Sequence, residues 1–129
     1  MKLVGYSGKS LIDKLGYGSG DSVYLFNAPE DFVLYLEEHG VLDSTGTSAT
    51  WAHGFFNHSV DARIFLDNLP LDRIEKGLWV SWPKKSSGVQ TDLTEQTFRD
   101  LILPLGWVDI KVAAIDDTWS GLKFTRRKN

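Results

Sequence analysis

The chain contains no cysteine. That absence excludes disulfides, thiolate nucleophiles, and zinc or iron–sulfur centres held by sulfur. It agrees with a reducing compartment, and the cytoplasm of a bacterium is the expected location. Long hydrophobic runs are also missing. No stretch approaches the roughly 20 apolar residues that a membrane-spanning helix needs. The opening MKLVGYSGKSLIDK has neither the apolar core nor the cleavage pattern of a signal peptide. Concentrated charge of one sign is scarce as well. With 14 Lys and Arg against 17 Asp and Glu the net charge is −3, so no broad positive field invites nucleic acid or an anionic membrane. The one basic run, Arg126-Arg127-Lys128, reads as a solubilising tail. Internal repeats and low-complexity segments are absent too.

What remains is a packed α/β pattern. A length of 129 residues suits one domain, 1–129, and five Trp with seven Phe supply a core. Ser7 is placed to cap a short helix, with Leu11, Ile12 and Leu15 as its apolar stripe and Gly16 as its stop. Residues 22–27, SVYLFN, read as a buried strand. Pro29 suits the first position of a helix whose apolar face is Phe32, Val33, Tyr35 and Leu36 and which ends near His39-Gly40. Residues 40–50 read as a small, polar loop with a stub of strand at its start. Residues 51–56 form a second strand. Ser59 then caps a helix with Val60, Ile64 and Leu66 inward; Pro70 breaks it, and a further helical turn covers 71–75. Residues 77–82, GLWVSW, are the third and most apolar strand, stopped by Pro83. Asp92 with Glu95 makes a start like a capping box for a helix that runs to about Leu103, with Leu93, Phe98, Leu101 and Ile102 inward. Residues 107–115 and 119–125 pair as an antiparallel hairpin around Asp116-Asp117. Alternating strands and helices argue for a parallel sheet covered on both faces, with right-handed crossovers.

The closing strand–helix–hairpin resembles that of Rossmann-like methyltransferases, in which the last strand inserts between the two before it. The resemblance implies a three-layer α/β fold with a mainly parallel mixed sheet of about five strands. Their order by first residue is 22-51-77-119-107, with 119 antiparallel. The chain departs from that pattern where a cofactor would sit. The turn after the first strand is Asn27-Ala28-Pro29-Glu30-Asp31, without the glycine that lets backbone approach a ligand, and Pro29 removes a donor. The next strand, which in that fold supplies an acid for a ribose, is reduced to residues 41–43, with Asp43 in the acid's place. The chain is also similar to a bacterial family designated domain of unknown function 3052. The likeness rests on Gly5-Tyr6-Ser7-Gly8, Asn27-Ala28-Pro29, WVSWPKKSSGVQTDL at 79–93, LPLGWVDIKV at 103–112 and DTWSGL at 117–122. This second resemblance implies the fold and brings no activity with it.

Ligands in open α/β sheets bind beyond the carboxyl ends of the strands, which points to Asn27 and to the loop after Pro83. Lys84, Lys85, Ser86, Ser87, Gly88 and Thr91 offer ammonium groups, hydroxyls and N–H groups ahead of a helix, a set suited to a small anion such as phosphate or carboxylate. The plainer reading is a solvated loop, and Asp92 as a helix cap puts a negative charge where an anion would dock. Gly8-Lys9-Ser10 has the ending of a P-loop, but Leu3 stands where the first glycine belongs and no strand precedes it. His39, His53 and His58 lack metal-ligand spacing. His39 suits a helix C-terminus and His53 a half-buried, hydrogen-bonded strand position; a site shared by His53 and His58 is the weaker alternative. No metal and no cofactor is expected.

Ser81 with Lys84 or Lys85 has the composition of a serine–lysine pair, but Ser81 alternates with two tryptophans and reads as a packed small residue. Glu37-Glu38 and Asp116-Asp117 read as a helix face and a turn. Trp79 and Trp82 fall on opposite faces of their strand; Trp79 is a core residue, and Trp82 is placed to floor a pocket at the strand end. The leading expectation is a non-catalytic ligand- or protein-binding module. The alternative is an enzyme with a reduced, methyltransferase-like cofactor or anion site at the carboxyl edge, over 27–31 and 84–92. A third expectation is a homodimer paired along the exposed edge of strand 107–115.

Overall fold

A computed structural model of the chain describes residues 10–44 and 46–127. The cap expected at Ser7, the Gly5-Tyr6-Ser7-Gly8 landmark, the Gly8-Lys9 pair and Lys128 lie outside these residues. In chain order the elements are α1 (Leu11–Leu15), β1 (Ser22–Phe26), α2 (Glu30–Glu38), β2 (Leu42–Asp43), β3 (Ala49–Phe55), α3 (Ser59–Asn68), β4 (Ile74–Pro83), α4 (Glu95–Ile102), β5 (Trp107–Ala114) and β6 (Trp119–Arg126). They form one mixed sheet in the order β2-β1-β3-β4-β6-β5. Strands β2, β1, β3 and β4 run parallel, and β6 lies antiparallel between β4 and β5. The expected order of five strands holds, and the two-residue β2 adds a sixth at the edge beside Ser22 and Val23. No helix among the described residues is long and apolar enough to cross a membrane.

The alternation of side chains along β4 divides the core in two. Leu78, Val80 and Trp82 pack with Ala62, Phe65 and Leu66 of α3 and Phe98 and Ile102 of α4. Trp79 faces the other way, among Leu11 and Leu15 of α1, Phe32 and Leu36 of α2, and Trp51 and Phe55 of β3. The Trp79 indole N–H donates to the Leu15 carbonyl at 3.0 Å, which pins α1 to the sheet. Ser10 caps α1 by accepting the Asp13 N–H. Gly77 is fixed by crowding: a Cβ there would lie 2.7 Å from the Phe124 carbonyl oxygen and 2.9 Å from the Trp51 ring.

Three boundaries and faces differ from the sequence expectation. Helix α3 turns Ala62, Phe65 and Leu66 inward, while Val60 and Ile64 are 59% and 52% exposed. The sheet accepts the stripe with the largest ring, Phe65, and Val60 and Ile64, four residues apart, share the outer side. His58, with extended backbone, stands immediately before α3 where Ser59 was expected. The helical turn expected over 71–75 is a 3₁₀ turn at Leu71–Arg73, and β4 begins at Ile74. Glu75 and Lys76 are exposed at the start of that strand and hide it in the sequence. At the far edge β5 carries exposed Ile110 and Val112, and a bulge between Asp109 and Lys111 interrupts its ladder.

His53 is wholly buried instead of half-buried. Its Nδ1 meets the Tyr17 hydroxyl at 3.0 Å and its Nε2 the Ser81 hydroxyl at 2.8 Å. Phe55 stacks on the ring at 4.5 Å and Phe32 meets it edge-on at 5.0 Å. Burial pushes the imidazole down from 6.5 to about 3, because nothing in this aromatic box stabilises a cation enough to replace water.

The unfolded chain therefore binds a proton at this histidine below pH 6.5 while the folded chain refuses it until about pH 3. A depressed folded pKa means stability that is complete above the unfolded value and falls as the pH drops, at about 1.4 kcal/mol per unit. Urea unfolding should lose about 2 kcal/mol between pH 6.5 and about pH 5 from this group, and His53→Gln should remove that part of the slope. A variant with the wild-type slope would assign the pH dependence elsewhere. Gly77→Ala, by contrast, should cost about 2 kcal/mol or more at any pH, since both obstructing groups belong to the packed sheet; an unchanged urea midpoint would refute the crowding.

Candidate functional site at the carboxyl edge of the sheet

Parallel β1, β3 and β4 end at one edge, at Phe26, Phe55 and Pro83. Strand β3 lies between the other two, so the loops after β1 and β4 are about 10 Å apart at the usual strand spacing. The first begins with Asn27 at φ 56°, the non-glycine residue with positive φ among the described residues. Asparagine tolerates the left-handed region better than most residues, so a tight turn forms without the glycine expected there. In the first turn of α2, Asp31 accepts the Phe32 N–H through Oδ1 at 3.0 Å, and its Oδ2 is buried with no hydrogen-bond partner. Asp43 does not join this edge. It pairs with Val23, three residues short of Phe26, which puts it about 10 Å below the strand end.

The loop after β4 is held by its own side chains. The Lys84 N–H donates to the Thr118 carbonyl at 2.8 Å. A 3₁₀ turn at Lys85–Ser87 follows and ends at Gly88, φ 76°. Ser87 donates its hydroxyl to the Lys84 carbonyl at 2.6 Å and accepts the Val89 N–H at 3.2 Å. Thr91 donates to the Asn57 carbonyl at 2.6 Å and accepts the Leu93 N–H at 3.1 Å. Two of the three hydroxyls foreseen for an anion, those of Ser87 and Thr91, thus shape the loop and tie it to the end of β3.

Asp92 does not cap α4. Its carboxylate accepts the Ser59 N–H at 2.8 Å and the Ser59 hydroxyl at 2.6 Å, at the start of α3. Those bonds, the hydroxyl first, hold its pKa below the usual carboxylate value. The orphan N–H groups and positive end of a helix favour a carboxylate there, so α3's N-terminus is occupied by an anion of the chain itself. The N-cap of helix α4 is Thr94, two residues later. Thr94 accepts the Thr97 N–H at 3.3 Å and the Thr97 hydroxyl accepts the Thr94 N–H at 3.2 Å. The sequence pattern Asp92–Glu95 imitated this capping box closely enough to mislead.

Between the loop, the start of α4 and β6 lies a cleft of about 640 Å³. Trp82, Pro83 and Leu93 give it an apolar wall, and Trp82 is backed by the Phe98 ring at 5.3 Å. Lys84, Lys85 and Thr91 line it; Asn27, Ser86, Ser87 and Gly88 are not among its walls. Sequence reasoning missed Arg99 and Ser120. Arg99 pairs with Glu95 at 2.9 Å and Asp109 at 3.0 Å, and these bonds, Asp109 first, raise its pKa. The Glu95–Arg99 spacing of one helical turn was a legible signal. Ser120 carries none, since only the insertion of β6 beside β4 sets it opposite Trp82.

The histidines are dispersed. His39 bonds the Tyr35 carbonyl at 2.8 Å at the end of α2. His58 lies near Asp92, whose charge it favours, and His53 is sealed on the other face, so the two share no site. Ser81 bonds His53, and neither Lys84 nor Lys85 is hydrogen-bonded to it. Among the described residues no three metal-ligating side chains gather.

Two solved structures are similar to this arrangement. A protein of the NADB-Rossmann superfamily from Streptococcus agalactiae matches 94% of this chain and 70% of its own, at 11% identity and a TM-score of 0.55. Magnesium protoporphyrin IX methyltransferase from Synechocystis PCC 6803, with bound SAM, matches 90% of this chain and 74% of its own, at 9% identity and a TM-score of 0.57. The chain has a Rossmann-like fold. Identities this low speak for the fold and nothing finer. No family model and no curated protein matches the chain.

The division of labour between Asp92 and Thr94 can be checked in this Rossmann-like domain. Thr94→Ala should cost about 1 kcal/mol by urea unfolding, the usual value of an N-cap. Asp92→Ala should speed hydrogen exchange at the Ser59 amide and leave the amides of α4 as they were. Faster exchange in α4 would return Asp92 to the role of its cap.

Proposed function

We propose that this domain binds a small ligand at the carboxyl edge of its sheet, in a reduced form of a methyltransferase-like cofactor or anion site. The observation that carries the reading is the cleft at the end of β4, where Trp82 forms a wall and Lys84 and Lys85 stand at the rim. The cleft lies where open α/β sheets hold ligands. The left-handed turn at Asn27 and the unpartnered Asp31 Oδ2 support a ligand contact at β1 on the same edge. The Synechocystis methyltransferase, similar in fold, carries SAM, so S-adenosylmethionine and nucleotides are the first ligands to try. Membership of domain of unknown function family 3052 and a cytoplasmic location complete the proposal.

A second reading, a binding module without catalysis, has its own support. Ser87, Thr91 and Asp92 are engaged in holding the loop, and Ser81 is sealed against His53. Isothermal titration against S-adenosylmethionine, S-adenosylhomocysteine and adenine nucleotides separates the outcomes. Binding should appear, and Lys84→Ala with Lys85→Ala should weaken an anionic ligand roughly tenfold, about 1.4 kcal/mol, without shifting the thermal midpoint. Methyl transfer by the bound protein would favour the enzyme, and saturable binding with no turnover the module. If no compound in the series binds, the cleft is not this kind of site.

A further inference from the structure

The ligand that the cleft selects can be narrowed by asking which of its polar groups lack partners. Both acids on its walls are engaged. Asp92 is held by Ser59, and Glu95 by Arg99 at 2.9 Å. Arg99 is in turn shared between Glu95 and Asp109. Thr91 bonds Asn57 and Leu93, and Thr94 and Thr97 bond each other. Gln96 bonds Asp100 through its amide nitrogen and leaves a neutral carbonyl oxygen, but the charge left over is of one sign. Neither Lys84 nor Lys85 forms an ion pair with a described residue, and the Ser120 hydroxyl on the β6 wall has no partner among them. An entering ammonium or sulfonium would meet no free carboxylate. An entering anion would meet two ammoniums and a hydroxyl.

The rest of the cleft is apolar. Trp82 is 7% exposed, fixed behind by Phe98 at 5.3 Å and alongside by its pairing with Ser120. Pro83 and Leu93 continue that wall. What the cleft offers of the indole is a small, fixed strip beside a proline ring, and a rigid planar partner can meet it with less loss of entropy than a flexible chain. The volume of about 640 Å³ lies within the range of small-molecule sites.

We infer that the cleft takes an anion with a flat aromatic body, its ring against Trp82 and Pro83 and its charge between Lys84 and Lys85. The inference rests on reading the cleft as a ligand site and gives that site its chemical class.

The test uses the full chain and four probes: 2-naphthoate, neutral 2-naphthamide, octanoate and S-adenosylmethionine, each followed by calorimetry. 2-Naphthoate should saturate the protein and bind roughly tenfold or more tightly than 2-naphthamide and than octanoate. Replacing both lysines, Lys84→Gln with Lys85→Gln, should abolish the preference for naphthoate over naphthamide and leave the affinity for naphthamide unchanged. Both lysines sit in an exposed loop, so a native thermal midpoint is expected in the variant. Equal affinity for naphthoate and naphthamide, or a preference that survives the lysine change, overturns the anionic class. Equal affinity for octanoate overturns the flat body. S-adenosylmethionine binding without naphthoate binding overturns the class and leaves the ligand site standing. Failure of all four probes takes the site with it.

Discussion

Strand β4 is buried on both faces from Gly77 to Pro83, and that burial sets the rest of the architecture. A strand with no solvent face needs a strand on each side and a helical layer above and below. Parallel β3 and antiparallel β6 supply the strands. The alternation of side chains then forces two layers to form together, with Trp79 drawing α1 and α2 to one face while Leu78, Val80 and Trp82 draw α3 and α4 to the other. Close approach is built in from both neighbours. Gly77 lets Trp51 lie against the strand, and a Cβ on Gly121 of β6 would come within 3.1 Å of the Trp79 ring. Pro83 ends the ladder at the sheet's edge, so the strand buried on both faces delivers its last side chains to the cleft.

The polar groups at that edge are arranged for two purposes at once. Helix starts need acceptors and loops need internal bonds, and here the loop after β4 provides for its neighbours. Thr91 reaches the end of β3 and Asp92 reaches the start of α3. The loop is thereby stitched to two elements and holds its shape without a ligand. A preformed cleft binds with less ordering cost than one that must close. The stitching also engages Asp92, while neither Lys84 nor Lys85 forms an ion pair with a described residue. The same few residues therefore set both the shape of the loop and the charge left unpaired on it.

The fold was largely legible because its signals are long and redundant. Three apolar strands bounded by turn residues, with helices between and a closing hairpin, leave little freedom in strand order. The errors lie where a single residue could serve two partners. Asp92 with Glu95 has the spacing of a capping box, yet Ser59, distant in sequence, competes for the carboxylate and wins. Val60 and Ile64 have the right character for a core face, but Ala62 and Phe65 fit the sheet. Glu75 and Lys76 disguised the start of β4, because they lie exposed at an irregularity of the ladder, between the Ala49–Ile74 and Trp51–Gly77 pairs. For the site, Lys84, Lys85, Thr91 and Trp82 could be read from their position after an apolar strand. The burial of His53 and the arrival of Ser120 could not, since both depend on which segments become neighbours across the sheet.

The reduction of the fold at β2 bears on where a ligand can go. In a full sheet the crevice beside β1 has walls from two strands that reach the same edge. Here β2 has two residues and stops level with Val23, so β1 runs on through Tyr24, Leu25 and Phe26 without its outer neighbour. The acid that would face a ribose, Asp43, is left about 10 Å down the sheet. A ligand at β1 would thus be held on one side by the turn at Asn27 and on the other by little. Strand β4 has no such deficit, because β6 is paired with it up to Pro83 and α4 overhangs its end. Shortening one edge strand weakens the crevice at β1 and leaves the centre of the sheet intact, and the walled cleft lies two strands across from β1, at the end of β4.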